Sequence, residues 1–179
     1  MDDGRSGVDC TALRRVAYGY AAAVDALDGP AFADQFTGDG ELWVPDPRVG
    51  SEPTIVRSGR AALERIPSGL AEYHVTYHAI WSTRYDIDGD RARGTVTGVA
   101  HHVTPDRGEG AVGGVDAVWY LRYADEYVRA GDAWRLTRRS LHLRHLEYRR
   151  ITHVGPGRRT PGTLSTQERI RSHNEPSRP

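Results

Sequence analysis

The chain has 179 residues, 38% of them hydrophobic, and its 24 Arg side chains balance 24 Asp and Glu side chains. This length suits a single domain with a substantial core. The balanced charge gives no electrostatic reason to expect nucleic acid or an anionic membrane as a partner. The lone cysteine, Cys10, rules out an internal disulfide. Because no apolar run approaches the ~20 residues of a membrane span and the acidic start lacks a signal-like apolar segment, we expect a cytoplasmic protein.

The first predicted element is a helix that begins at Asp9 or Thr11, either of which could cap it, and continues to about Leu27. Residues 1–9 are polar, and we expect them to be disordered. The apolar residues of the helix are spaced by three and four and form one stripe: Leu13, Ala17, Tyr20, Val24 and Leu27. This stripe predicts the face that packs on the core.

Shorter elements follow. A second short helix is expected over residues 31–36 and a strand over residues 40–44, with a mobile loop over residues 48–58 that is rich in Ser, Pro and Gly. A third helix is predicted over residues 58–66, with Ser58 as its N-cap and Pro67 ending it.

After Tyr73 the pattern changes to long β-rich runs. Two hairpins are predicted, residues 74–87 with 91–103 across the turn DGD and residues 117–129 with 133–149 across AGD. A flexible loop over residues 104–114 separates them. The segment 155–179, rich in Pro, Arg and Ser, reads as a flexible tail or an arm that grips a partner. We therefore predict one α+β domain over residues 10–154, in which helices cover one face of a strongly curved antiparallel sheet and leave a pocket at the open end of a cone.

The carboxylate of Asp25 lies inside a run of small apolar residues near the end of the first helix. Its position is about 120° from the centre of the apolar stripe, beside Tyr18 and Arg14, which by periodicity alone favours a solvated side chain. The neighbouring Ala21 and Ala22 are small enough to let a sheet edge approach the helix closely. Both interpretations of Asp25 remain open at this point.

The imidazole of His78 lies among aromatic residues in the first long strand. Imidazole is a suitable base for removing a proton near neutral pH. A carboxylate bound to its far ring nitrogen would fix the tautomer and stabilise the imidazolium that forms. Asp25 and His78 together would thus be a catalytic pair, whereas His78 alone would more often be a core histidine.

Four motifs in a fixed order carry a resemblance to a known family. They are Y-x6-D-x-x-D from Tyr18 to Asp28, T-x-H-x-I-x-x-T-R-Y from Thr76 to Tyr85, DGD-x-A from Asp88 to Ala92, and the run from Asp125 to Arg138 that contains DEYVR and WRL. In this order they resemble the SnoaL-like branch of the nuclear transport factor 2 superfamily over residues 10–150. The similarity extends to its scytalone dehydratase, bile-acid dehydratase and hexachlorocyclohexane dehydrochlorinase members. It implies a cone-shaped, cystatin-like α+β barrel, a fold that hosts several activities.

In the dehydratase and dehydrochlorinase members, an Asp on the first helix pairs with a His that removes a proton from carbon as a neighbouring group leaves. The resemblance gives these roles to Asp25 and His78. A further His of scytalone dehydratase falls on His102 or, with a shift of one residue, on His101. Because neighbouring residues of a strand face opposite sides, only one of these two can line the pocket.

Two other positions are assigned by the resemblance. An Arg of the dehydrochlorinase falls on Arg139, with Arg138 beside it, although a salt bridge is the more frequent role for such a residue. The Tyr that precedes the Asp in scytalone dehydratase is replaced by Val24, so Tyr18 or Tyr20 would have to supply a phenol.

The remaining candidates are expected to bind substrate or to have no functional role. Residues expected to contact substrate are Tyr18, Trp43, His101, Trp81, Trp119 and Tyr123, while most other aromatic residues belong to the core. His142 and His145 face opposite sides of a strand, so we predict no metal and no cofactor. Aromatic residues at alternate strand positions favour a homo-oligomer, a dimer or, by resemblance, a trimer.

These observations favour a cofactor-independent lyase of the dehydratase type that acts on a hydrophobic cyclic molecule such as a polyketide, terpenoid or steroid. A cyclase or isomerase would use the same pocket and differ in where the proton returns. A non-catalytic domain for ligand binding or assembly is the alternative outside enzymes. Epoxide hydrolysis is disfavoured because it needs two acidic groups around a water, and Asp25 and Asp116, the candidates for them, have no clear Arg to bridge them.

Overall fold

The computed structural model describes residues 3–107 and 112–156. The chain begins with a long helix, α1 (Asp3–Asp25), and a short one, α2 (Gly29–Ala33). Strands β1 (Phe36–Pro45) and β2 (Pro53–Ser58) precede α3 (Arg60–Leu63) and a 3-10 turn (Pro67–Leu70). Four long strands complete the fold: β3 (Val75–Asp88), β4 (Arg91–Pro105), β5 (Gly114–Ala130) and β6 (Ala133–Ile151).

The six strands form one sheet in the order β2-β1-β6-β5-β4-β3. Every pairing is antiparallel except that of β1 with β6, which is parallel, so the sheet is mixed rather than wholly antiparallel. The predicted α+β cone is confirmed, with the helices on one face of a curved sheet. We call the face covered by α1 the concave face and the opposite face the convex face.

The predicted apolar stripe of α1 is confirmed as the helix face that packs on the concave face. Leu13, Ala17, Tyr20 and Val24 are all at most 4% exposed and belong to the main hydrophobic cluster. Leu27 lies just beyond the helix and is half-buried.

The start of α1 differs from the prediction because the helix already begins at Asp3. Asp9 is not a cap but a mid-helix residue that is 6% exposed. Its carboxylate accepts two hydrogen bonds of 2.8 Å from the guanidinium of Arg129 and one of 3.1 Å from the indole of Trp134. Buried charges require such partners, so this contact ties α1 to the β5–β6 hairpin.

The region between α1 and β3 was predicted least accurately. Strand β2 lies within residues 48–58, which were predicted as a loop, and pairs with β1. Ser58 is the last residue of β2 and does not cap α3, whose N-cap is Gly59 at φ +78. Helix α2 begins earlier than expected, because the side chain of Asp28 accepts a 3.0 Å hydrogen bond from the Ala31 backbone N–H.

Both predicted hairpins are confirmed, with Gly89 and Gly131 in the left-handed conformation that the two turns require. Most of the expected C-terminal tail, residues 157–179, and residues 108–111 of the expected loop lie outside the described residues. In residues 3–107 and 112–156, no helix has the length and apolar character needed to cross a membrane.

Candidate active site

The C-terminal end of α1 places Asp25 at the edge of the sheet. The backbone N–H of Asp28 bonds the carbonyl of Ala23 at 2.9 Å and that of Leu27 bonds Val24 at 3.1 Å, the pattern of a Schellman motif. Leu27 occupies the left-handed position with φ 57, where glycine is usual. Asp25 is therefore the last helical residue. A negative charge at this end of a helix interacts unfavourably with the helix dipole, so helix stability does not explain an Asp at this position.

Strand β3 supplies the partners of this carboxylate. Asp25 Oδ1 lies 2.7 Å from Nδ1 of His78 and accepts a hydrogen bond of 2.9 Å from the hydroxyl of Thr76. Its Oδ2 accepts a 2.8 Å hydrogen bond from the backbone N–H of His78. Because β3 is an edge strand, this backbone N–H has no neighbouring strand, and Asp25 satisfies it.

The contact with Asp25 determines the tautomer of His78. A carboxylate can only accept, so Nδ1 carries the proton and Nε2 of the neutral ring has a free lone pair. The side chain of His78 is 10% exposed and that of Asp25 26%. Burial raises the pKa of Asp25, but the hydrogen bonds from His78 and Thr76 outweigh it, and the net pKa is below the usual value. The carboxylate is therefore ionised near neutral pH and can stabilise an imidazolium on His78.

A second imidazole, that of His102, faces the pair from β4. The ring centroids of His78 and His102 are 5.6 Å apart and nearly perpendicular. Tyr73 and Trp119 flank the His102 ring at 4.9 and 5.8 Å. His102 is 8% exposed, and its buried Nδ1 has no hydrogen-bond partner among the described residues.

The surroundings of His102 keep it uncharged. Burial and the nearby His78 lower the pKa of His102 from 6.5 to about 4. At neutral pH this ring therefore offers hydrogen bonds as a neutral group and is not a source of an imidazolium proton. Of the predicted substrate contacts, Trp119 lies directly against the His102 ring.

The neighbouring His101 faces the convex side, as the alternation along a strand requires. Its Nδ1 lies 2.7 Å from Oδ2 of Asp116, and its side chain is 29% exposed. The structure thus places His102, and not His101, on the concave face beside His78. The expected substrate contact of His101 does not lie on that face.

The predicted catalytic residues Tyr20 and Arg139 lie in the hydrophobic core. The guanidinium of Arg139 donates two hydrogen bonds, of 2.9 and 2.6 Å, to Asp125, and both side chains are fully buried. Its central carbon lies 4.2 Å from the ring centre of Tyr20 and 4.6 Å from that of Tyr123. The Asp125 carboxylate outweighs the effect of burial and raises the pKa of Arg139 well above its usual value. Arg139 is therefore a buried, ion-paired residue, the alternative role considered for it above.

The two tyrosines of this buried group remain protonated. Burial raises the pKa of Tyr20 to about 12 and raises that of Tyr123 further. Tyr20 is 4% exposed and Tyr123 2%, so neither presents a broad surface to a substrate.

Two other predicted substrate contacts lie on the convex face, and a third, Tyr18, is 51% exposed on α1. Trp81 is 62% exposed on the convex face, where it meets Tyr120. Trp43 alternates with the buried Leu42 on β1, so it also faces the convex side, where its indole N–H donates to Glu41. Exposed aromatic residues on the convex face fit the expected homo-oligomer, which stays a prediction.

Two residues that contact Asp25 or His102 were not predicted from the sequence. Thr76 shares the concave face with His78 because it lies two positions before it on β3, a signal that period-two alternation could have provided. Tyr73 precedes β3, and no sequence pattern indicates its contact with His102. Within the described residues, no group of three or more His, Cys, Asp or Glu side chains is placed to hold a metal ion.

Comparison with known proteins agrees with this fold. Residues 8–140 match the family model of the SnoaL-like domain, so the chain belongs to that family. A candidate scytalone dehydratase from Novosphingobium aromaticivorans is 21% identical with a TM-score of 0.66, over 92% of this chain and 100% of that one. A type-3 hexachlorocyclohexane dehydrochlorinase from Novosphingobium barchaimii is 15% identical with a TM-score of 0.67, over 86% and 99% of the two chains.

A protein of unknown function from Mycobacterium tuberculosis is 20% identical with a TM-score of 0.66, over 80% of this chain and 76% of that one. At these identities the similarity establishes the fold alone. Among curated proteins, no sequence matches this chain.

Proposed function

We propose that the protein is a cofactor-independent lyase that removes water from a hydrophobic cyclic small molecule. The observation that carries this proposal is the orientation of His78, whose Nδ1 is held by Asp25 so that Nε2 is the free base. The neutral ring of His102, 5.6 Å away centre to centre, is a second hydrogen-bonding group on the same side of the sheet.

The reaction follows from these two groups. Nε2 of His78 takes a proton from a carbon next to an electron-withdrawing group, and the electron pair of the C–H bond forms a carbon–carbon double bond. The bond from the neighbouring carbon to its hydroxyl oxygen breaks. The departing oxygen receives the proton back from the His78 imidazolium and leaves as water. His102 hydrogen-bonds the hydroxyl group and orients it, while Asp25 stabilises the transient positive charge.

The surroundings support an apolar, cyclic substrate. The His102 imidazole is flanked by the aromatic rings of Tyr73 and Trp119, which offer flat apolar surfaces. Such a lining with few polar groups is typical of sites for small hydrophobic molecules. The polyketide, terpenoid and steroid classes remain the candidates for screening.

Cyclic β-hydroxyketones incubated with the purified protein, followed by mass spectrometry, would test this function. A dehydratase yields a product lighter by one water, and His78→Gln should reduce the rate by roughly 10²- to 10⁴-fold with unchanged thermal unfolding. A product of unchanged mass that also depends on His78 would indicate an isomerase or a cyclase. Turnover that is unaffected by His78→Gln would refute the mechanism.

A further inference from the structure

An apolar groove lies on the concave side, between β1, β2 and the α3 region. Its volume is about 310 Å³, and its walls are Leu42, Val44, Arg57, Ala62, Arg65, Ile66 and Gly69. Five of these seven residues are apolar or glycine, and the two charged residues are both arginines. The groove therefore combines an apolar interior with positive charge.

Both arginines of the groove are available to a ligand. No carboxylate of the described residues pairs with either, and the one hydrogen bond found for their side chains runs from Arg57 to the carbonyl of its neighbour Val56 at 3.1 Å. Both side chains belong to exposed residues. Arg129 and Arg139 on the same chain, by contrast, are each held by carboxylates.

The groove and the Asp25–His78 pair open on the same face of the sheet. Leu42 is 1% exposed and belongs to the hydrophobic core under α1. Arg57 is the direct cross-strand partner of Leu42, and directly paired residues project on the same side of an antiparallel sheet. Arg57 therefore projects to the concave side, as His78 does.

A short stretch of chain, from Gly69 to Tyr73, connects the groove to the residues around His102. Gly69 lines the groove, and Tyr73, four residues later, contacts His102 with ring centres 4.9 Å apart. Four residues span at most about 14 Å when fully extended. A turn between them, in which the Tyr73 N–H bonds the Leu70 carbonyl at 3.1 Å, makes the actual span shorter. An elongated molecule of two to four fused rings could cover this distance.

We propose that Arg57 and Arg65 bind a carboxylate at one end of the substrate while its apolar body lies in the groove and its reacting carbon approaches His78. This inference rests on the proposed function and narrows its substrate class to elongated, largely apolar acids. Carboxylate–guanidinium pairing provides both charge neutralisation and directional hydrogen bonds. Uncharged polycyclic molecules of the same shape would bind more weakly.

A matched pair of fluorescent probes tests this site without turnover. Pyrenebutyrate and pyrenebutanol share one apolar body and differ in whether the chain ends in a carboxylate or a hydroxyl. We expect the protein to prefer pyrenebutyrate, and R57Q/R65Q to lose about tenfold in affinity for it while keeping its affinity for pyrenebutanol. The double variant R15Q/R84Q removes equal charge from exposed positions elsewhere and should keep the preference.

One further variant makes the outcome decisive. Ala62→Phe should fill the groove and weaken both probes. The inference is overturned if R57Q/R65Q binds pyrenebutyrate like the unmodified protein, if R15Q/R84Q loses as much affinity, or if Ala62→Phe affects neither probe. Because probe binding needs no chemistry, failure here is distinguishable from failure of the lyase proposal, which only turnover tests.

Discussion

Two Asp–His pairs lie on opposite faces of the sheet, and strand β4 supplies His102 beside one of them and His101 to the other. On the concave face, Asp25 holds His78 beside His102, and on the convex face Asp116 holds His101. The two Nδ1-to-carboxylate distances are both 2.7 Å. The pairs differ in their surroundings: among the described residues, His78 lies against a second, buried imidazole that packs on Trp119, and no ring contact of this kind is found for His101. An Asp–His hydrogen bond by itself therefore does not define an active site.

Matched substitutions of the two carboxylates should give the largest contrast. Asp25→Asn should lower kcat by roughly 10²- to 10⁴-fold, because an amide can donate to Nδ1 of His78 and stabilise the tautomer that lacks a free Nε2. Asp116→Asn makes the same chemical change on the convex face and should leave kcat nearly unchanged. Steady-state kinetics of both variants on one substrate gives the answer, and equal losses would remove the distinction between the two faces.

The stability of the protein in mild acid should depend on His102. The pKa of this ring is about 4 in the folded protein against 6.5 for a free imidazole, so the unfolded chain binds its proton first. The contribution of neutral His102 to the free energy of unfolding is therefore largely present above pH 6.5 and is lost as the pH falls toward 4. From pH 7 to pH 5 the free energy of unfolding should fall by about 2 kcal/mol from this residue alone.

Urea unfolding at the two pH values measures this loss. His102→Phe should reduce the pH dependence, since the aromatic ring is kept and the titrating group is removed. His101→Phe on the convex face is the matched control and should preserve the dependence. An equal pH dependence in His102→Phe and the unmodified protein would contradict the burial and neutrality of His102.

The smallest contrast should come from two threonines. Thr76→Val removes a 2.9 Å hydrogen bond to Asp25 and should reduce kcat by about five- to tenfold, the effect of one such bond. Thr97→Val removes a 2.7 Å contact with Ser82 at an exposed position of the sheet. Kinetics should show no effect of the second change, and a loss equal to that of Thr76→Val would indicate a general effect of strand substitutions.

The elements with strong local signals could be predicted from the sequence. The apolar stripe of α1 and the two hairpins with Gly at their turns follow from patterns that neighbouring residues fix among themselves. Strand β2 was not predicted, because it is an exposed edge strand whose pairing with β1 provides most of its order. The role of Asp9 was missed because its partners Arg129 and Trp134 lie more than a hundred residues away in the sequence.

The same difference between local signals and long-range contacts applies to the candidate site. Helical periodicity favoured a solvated Asp25. The apolar stripe identifies only the helix residues that pack on the centre of the sheet, whereas Asp25 contacts the edge strand β3. The resemblance correctly brought Asp25 and His78 together, but it also assigned catalysis to Arg139, which pairs with Asp125 in the core. A buried guanidinium and one that faces a pocket have the same sequence signature.

The sequence by itself determined that His101 and His102 face opposite sides of one strand, because side chains alternate along any strand. Only the tertiary structure decided which of them joins His78. That choice depends on which face of the sheet α1 covers, and this is set by the packing of its apolar stripe against the long hairpins. The same packing brings the end of α1 to the open edge of β3, where Asp25 completes the pair.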